Sequence, residues 1–213
     1  MGKKLILWDL DGTLIDTLED LADAVNHALA LRALPLHTLA EYRKWVGHGV
    51  RNLVQQALPS GVDDAFVDSA LADFKAYYQA NIDRHTRPYP GMPELLSELD
   101  GLGVKMGVTS NKFQEGTEHL IREFFPGIDF VAILGNRPGF PLKPSPEIVQ
   151  EVLMRSSISR VDAILVGDSP TDMRTAANGG IDAIAVAWGY RTVAELAGNR
   201  IVHSVEELRQ ALL

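Results

Sequence analysis

Carboxylates gather just beyond two apolar runs. The run Leu5-Ile6-Leu7-Trp8 leads into Asp9-Leu10-Asp11-Gly12-Thr13, and the run Ala163 to Val166 leads into Gly167-Asp168-Ser169-Pro170-Thr171-Asp172. Open α/β sheets bind ligands in the crevice outside the carboxyl ends of their strands, so acids at those ends are placed for chemistry. Two carboxylates about 5 Å apart repel by roughly 3 kcal/mol at an effective dielectric near 20, so such a pair favours a proton or a cation between its members. If the two runs are neighbouring strands, Asp9, Asp11, Asp168 and Asp172 converge on one crevice whose negative charge needs compensation. Magnesium, a hard cation that takes few carboxylates, several waters and a substrate phosphate, suits that cluster. Taken singly, the same residues have plainer uses, Asp-x-Asp as an acidic turn after an edge strand and Asp168 as a helix cap.

A phosphate would also need donors. Thr109-Ser110-Asn111-Lys112 closes another apolar run just before a helical stretch and offers a hydroxyl and free amide groups, although Ser110 could simply cap that helix. Lys143 lies in Phe140-Pro141-Leu142-Lys143-Pro144-Ser145-Pro146, where prolines restrict the loop. It either supplies positive charge to phosphate and carboxylates or is a solvated surface lysine. The six histidines show no i, i+4 pairing and no acidic partner pattern for zinc. The chain has no cysteine, so disulfides, thiolate metal sites and thiol nucleophiles are excluded, and any metal must be held by oxygen or imidazole.

These residues need a scaffold that aligns strand ends. Five short apolar runs read as buried parallel strands: Lys4 to Trp8, Val104 to Thr109, Phe130 to Leu134, Ala163 to Val166 and Asp182 to Ala187. Helix-like stretches separate the last four, which predicts an α/β fold with a parallel sheet and helices on both faces. Between the first run and the second there is no strand signal. Leu18, Leu21, Ala22, Val25 and Leu29 recur at helical spacing, Thr38 with Glu41 reads as a capping box, and Phe66, Ala70, Phe74 and Tyr77 mark a further amphipathic helix. Residues 16–89 are therefore expected to form an all-helical insert, and residues 1–15 with 90–213 a discontinuous core. Asp16-Thr17 would lead out and the stiff segment Arg87-Pro88-Tyr89-Pro90-Gly91 would lead back, together making a hinge. Ser204 with Glu207 opens a last helix through Leu212.

With 213 residues, 46% hydrophobic and 23% charged, the chain suits one large α/β domain or a core with an inserted module. A formal charge of −8 argues against nucleic acid, whose phosphates are bound through a surplus of lysine and arginine. No run approaches the roughly 18 apolar residues of a membrane span. The amino end has no cleavage-like tail, so a cytoplasmic location without a membrane partner is expected.

Taken in order, Asp9-x-Asp11-Gly12-Thr13, Ser110-Asn111, Lys143-Pro144 and Gly167-Asp168-x-x-x-Asp172 resemble the motifs of the haloacid dehalogenase superfamily of phosphotransferases, and the resemblance spans nearly the whole chain. It implies a Rossmann-like core with the first strand at its centre, and the helical insert is similar to that superfamily's four-helix cap. Val46-Gly47-His48-Gly49-Val50-Arg51 is similar to the substrate-facing loop of phosphoglycolate phosphatases, and Ala187-Trp188-Gly189-Tyr190 looks like the same subgroup. The dehalogenases that name the superfamily lack the second aspartate, present here as Asp11, which counts against carbon–halogen cleavage. Phosphonate hydrolases use a cap lysine as a Schiff base, for which Lys44 and Lys75 are the candidates in the insert.

The resemblance implies a magnesium-dependent hydrolase of a small phosphorylated metabolite, phosphoglycolate foremost. Asp9 would take phosphorus as an aspartyl phosphate. Asp11 would give a proton to the leaving oxygen and then take one from water. Magnesium would be held by the Asp9 carboxylate, the Asp11 carbonyl and Asp168, with Asp172 as a ligand or close by. Ser110, the Asn111 amide and Lys143 would hold phosphate oxygens. Arg51 is expected either at a substrate carboxylate or as an exposed helix charge. Sugar-phosphate mutases share the pattern but pass the phosphoryl group to another substrate hydroxyl. A signalling receiver domain also takes phosphate on aspartate, yet it is about one ordinary domain long and lacks the insert. A monomer or weak homodimer is expected.

Overall fold

The computed structural model describes residues 2–213; Met1, the first residue of the expected core, lies outside them. The chain opens with β1 (Leu5–Trp8) and β2 (Ile15–Asp16), continues through helices α1 (Leu18–Ala30), α2 (Leu39–Trp45), α3 (Val50–Ala57) and α4 (Asp64–Asn81), and returns through β3 (Arg87–Pro88). Helices and strands then alternate: α5 (Met92–Gly101), β4 (Lys105–Phe113), α6 (Gln114–Phe124), β5 (Phe130–Asn136), α7 (Glu147–Ser156), β6 (Ala163–Gly167), α8 (Pro170–Gly179), β7 (Asp182–Val186), β8 (Ile201–Val202) and α9 (Val205–Leu212). One parallel sheet results, in the order β5-β4-β1-β6-β7-β8, so β1 is central and β6 is its direct neighbour. The expected α/β architecture is present, with β8 added as a two-residue edge.

Successive side chains of a strand point to opposite faces, so β1 feeds two cores. Leu5 and Leu7 pack with Ile148, Val149 and Val152 of α7 and with Met173 and Ala176 of α8. Ile6 and Trp8 pack with α5, α6 and α9 through Leu95, Leu96, Leu120, Ile121 and Leu208. All four β1 side chains are buried, which is why the run shows no polar alternation.

Helices α1–α4 lie between the two strands of a separate ribbon in which β2 pairs antiparallel with β3, Ile15 opposite Pro88 and Asp16 opposite Arg87. The outgoing and returning segments are thus tied to each other. Asp20 of α1, buried beside this ribbon, accepts the His85 and Thr86 N–H groups and the Thr86 hydroxyl at 2.7 to 3.0 Å. On α1 the buried stripe is the expected one, Leu18, Leu21, Ala22, Val25 and Leu29. On α4 it is rotated: Val67, Ala70, Phe74 and Tyr78 are buried, while Phe66 and Tyr77 sit at its edges. Phe66 lies under the Arg32 guanidinium and Tyr77 stacks on His27 at 4.3 Å, so both rings cover the margin of α1.

Thr38 and Glu41 form the predicted capping box. At α9 only half of one forms, because Ser204 Oγ accepts the Glu207 N–H while the Glu207 carboxylate takes the His203 N–H. Among the described residues no helix is long and apolar enough to cross a membrane.

Candidate active site

β1 and β6 end side by side, with Trp8 in register with Val166 and the Asp9 N–H donating to the Val166 carbonyl at 2.9 Å. The condition set by the sequence is therefore met. Asp9, Asp168 and Asp172, all buried, each place a carboxylate oxygen within 4.8 Å of the others. Two glycines permit the approach: a Cβ at Gly12, whose φ is +90°, would stand 2.5 Å from Asp168 Oδ2, and one at Gly189 would stand 2.3 Å from Asp168 Cβ.

Lys143 enters this cluster from the loop after β5. Its Nζ donates to Asp9 Oδ1 at 2.7 Å, to Asp172 Oδ1 at 2.6 Å and to the Thr109 carbonyl at 2.9 Å. Asn111 holds the loop: its Oδ1 accepts the Lys143 N–H at 2.8 Å, and its Nδ2 donates to the Lys143 carbonyl at 3.2 Å and the Gly47 carbonyl at 3.0 Å. The other oxygen of Asp172 caps α8, accepting the Ser169 hydroxyl at 2.6 Å and the Ser169 N–H at 3.1 Å. Asp168 Oδ2 accepts the Tyr190 N–H at 2.6 Å.

Burial, reinforced by the Asp172 charge, pushes Asp9 well above the usual carboxylate range and Asp168 up to about 7, against the pull of Lys143. For Lys143 burial works against the charged form, but Asp172 and Asp9 outweigh it and hold the ammonium above its ordinary value. Three ionised carboxylates around one ammonium leave an excess of buried negative charge, which a hard divalent cation with oxygen ligands would compensate. The oxygens with capacity to spare are Asp168 Oδ1 and Asp9 Oδ2, the latter contacted by the Thr13 hydroxyl at 3.5 Å, whereas both oxygens of Asp172 are engaged. The residues therefore fit such an ion at Asp9 and Asp168, with Asp172 holding Lys143 beside it.

Asp11 has its own cation. Its Oδ1 accepts from Lys112 Nζ at 2.8 Å and from the Thr17 hydroxyl at 2.6 Å. Burial opposes the Lys112 charge, but Asp11 outweighs it and raises the ammonium's pKa. The Tyr78 ring of α4 lies 4.9 Å from Lys112 Nζ. Ser110, which could have capped a helix, does not, because β4 runs on to Phe113 and α6 starts only at Gln114. Ser110 Oγ instead accepts the Lys112 N–H at 3.1 Å, which leaves its own hydrogen to donate.

Asp9, Asp11, Ser110, Asn111, Lys143, Asp168 and Asp172 line one cavity. The helical insert contributes Leu21, Val46, Gly47, Gly49, Val50 and Leu53 to its walls. Arg51 is not brought there. It lies on the exposed side of α3, paired with Asp64 and Asp68 of α4, so the helix-charge alternative is the one the structure shows. Residue type and spacing do not single out Lys112 and Arg191, which line the cavity, or the part of Tyr190, whose hydroxyl accepts the Thr17 N–H at 2.8 Å and lies 3.1 Å from Asp16 Oδ1. Lys112 directly follows Ser110-Asn111, and Arg191 directly follows Ala187-Trp188-Gly189-Tyr190.

Comparison with known proteins places this site in a family. Residues 6–186 match the family described as haloacid dehalogenase-like hydrolase. A phosphoglycolate phosphatase of Mesorhizobium japonicum is 34% identical over 213 residues, covering 98% of this chain and 94% of that protein. The phosphoglycolate phosphatase of Pseudomonas syringae pv. tomato is 33% identical, covering 98% of this chain and 78% of its own length. A crystal structure from Lactobacillus delbrueckii subsp. bulgaricus, of a protein given provisionally as a phosphoglycolate phosphatase, superposes with a TM-score of 0.92 at 32% identity, covering 100% of this chain and 99% of that one.

Proposed function

The chain belongs to the haloacid dehalogenase-like hydrolases, and from that membership we propose that this phosphatase hydrolyses a small phosphomonoester through an aspartyl phosphate on Asp9, with magnesium as its cation and 2-phosphoglycolate as its foremost substrate. The observation that carries the reading is the setting of Asp9: one carboxylate oxygen is anchored by the Lys143 ammonium and the other has only the long Thr13 contact, in a buried cluster with Asp168 and Asp172.

Asp9 attacks phosphorus through one carboxylate oxygen as the ester P–O bond breaks, and Asp11 gives its proton to the departing oxygen. Water then attacks the same phosphorus while Asp11 takes one of its protons, and the bond between phosphorus and the Asp9 oxygen breaks to return free phosphate and carboxylate. Lys112 and Thr17 hold Asp11 in one orientation for both steps. Ser110 donates to a phosphoryl oxygen, Lys143 holds Asp9 and sets its positive charge beside the transferring group, and the Asn111 side chain keeps Lys143 in position. Asp9 and Asp168, with the Asp11 carbonyl, would hold magnesium, which when bound neutralises charge on the transferring group. Residues 16–89 act as a cap on the core of 1–15 and 90–213, with the β2–β3 ribbon as the hinge, so that closure excludes bulk water.

The direct test is phosphate release with magnesium across phosphoglycolate, nucleoside monophosphates, pyrophosphate and sugar phosphates, compared as kcat/KM, with Asp9→Asn as control. Turnover retained by Asp9→Asn removes Asp9 as the nucleophile. Sugar isomerisation without phosphate release replaces the hydrolase with a mutase.

A further inference from the structure

Three cations line the cavity: Lys112, Lys143 and Arg191. Two are matched by carboxylates, Lys143 by Asp9 and Asp172 and Lys112 by Asp11. Arg191 is not. Among the described residues it enters no ion pair, and its guanidinium donates to main-chain carbonyls, that of Arg43 at 2.6 Å and that of Val46. Those acceptors are neutral, and they leave donors of the five-N–H fork uncommitted.

Position sharpens the point. Arg191 follows Tyr190, whose N–H is bound to Asp168, and its charge acts on the Asp168 carboxyl. Its Nη2 lies 3.4 Å from where a Cβ of Gly47 would stand, so the guanidinium packs against the loop that carries Val46 and Gly47 at the cavity wall. The insert itself offers the cavity only Leu21, Val46, Gly47, Gly49, Val50 and Leu53, none of which is charged. An anionic group on the leaving portion of a substrate therefore has one unmatched partner, and it comes from the core.

We infer that Arg191 recognises a carboxylate on the leaving group, so that the enzyme selects small carboxylate-bearing phosphomonoesters over neutral ones. A planar guanidinium fork matches a carboxylate in both geometry and charge. The inference rests on the phosphatase reading, and the experiment separates the two.

Wild type, Arg191→Met and Arg191→Lys are compared with magnesium on 2-phosphoglycolate, on its neutral amide analogue glycolamide phosphate, and on p-nitrophenyl phosphate. Wild type should prefer the acid over the amide by about 10- to 100-fold in kcat/KM, carried mainly in KM. Arg191→Met should lose most of that preference because the acid falls far more than the amide. Arg191→Lys, which keeps the charge without the fork, should lie between. The ratio is read within each variant, so the amount of folded enzyme cancels. A parallel fall on acid and amide would make Arg191 a strut and overturn the inference. Equal treatment of acid and amide by wild type overturns it too, as does hydrolysis of p-nitrophenyl phosphate alone; the phosphatase reading survives all three. Wild type inactive on every ester overturns both.

Discussion

Replacing Lys143 with Met removes the ammonium that binds Asp9, Asp172 and the Thr109 carbonyl at 2.7, 2.6 and 2.9 Å, while keeping most of the apolar stem. The cluster then holds three buried carboxylates with oxygens within 4.8 Å of one another and without the cation that bound two of them. At an effective dielectric of about 20, each ionised pair at that separation repels by roughly 3 kcal/mol. Removing one partner of a buried ion pair costs about 3–5 kcal/mol, and we expect the loss of unfolding free energy in EDTA to approach that size at about pH 8.5.

The pH dependence of that loss has a definite sign. Asp168 is pushed up to about 7 and Asp9 is also raised with Lys143 in place, by burial first and then by Asp172, and losing the ammonium pushes both further. A carboxyl whose folded pKa lies above its unfolded value of about 3.9 contributes its full stability below that value and loses it as pH rises through the folded pKa. The cost of Lys143→Met should therefore be small near pH 4.5, where Asp168 stays protonated in both proteins, and grow as pH rises through about 7 and above, where it ionises in wild type. Urea titrations of wild type and variant across that range measure it. Magnesium added to the variant at about pH 7.5 should return part of the stability, because a cation bound to the folded state replaces the missing charge. Equal losses at about pH 4.5 and 8.5 would assign the cost to packing and refute the electrostatic argument.

Asp9→Asn should lower phosphate release by at least about 10³-fold while the far-UV circular dichroism stays native, and single-turnover assays would expose any residual chemistry. Excess EDTA should stop turnover and added magnesium restore it; activity that survives chelation contradicts the metal assignment. Asp20→Ala strips the acceptor from three donors at the foot of the insert, and an unfolding free energy lower by about 2–4 kcal/mol is expected, with a change under about 0.5 kcal/mol counting against that role. Arg51→Met, on the solvent side of α3, should leave kcat/KM within about twofold of wild type, and a loss beyond tenfold would mean that Arg51 reaches the substrate after all.

How much of this could be read from residues alone depends on the range of the force involved. β1 and β6 are buried on both faces, so each is written as an unbroken apolar run, and the acid that follows marks the strand's end. That the two ends touch is a matter of sheet order, which no periodicity carries. Ser110, Asn111 and Lys112 are polar, so the apolar run alone ends β4 at Thr109, four residues short of its end at Phe113. They stay extended through contacts 101 residues away, from Lys112 to Asp11, and 32 residues away, from Asn111 to Lys143. The two arginines make the contrast sharpest. Arg51 ends the loop Val46-Gly47-His48-Gly49-Val50-Arg51, whose resemblance suggests a substrate contact, yet Leu53, Val54 and Ala57 form the buried face of α3 and Arg51 is off that face. That correction was available locally, from helical phase. Arg191 reaches the cavity only because the chain after β7 folds back over Asp168 and under α2, which no local pattern announces. A charge inside a recognisable motif is therefore weaker evidence for ligand contact than the phase of the helix that carries it, and a charge left without a counter-ion by the tertiary fold is stronger evidence than either.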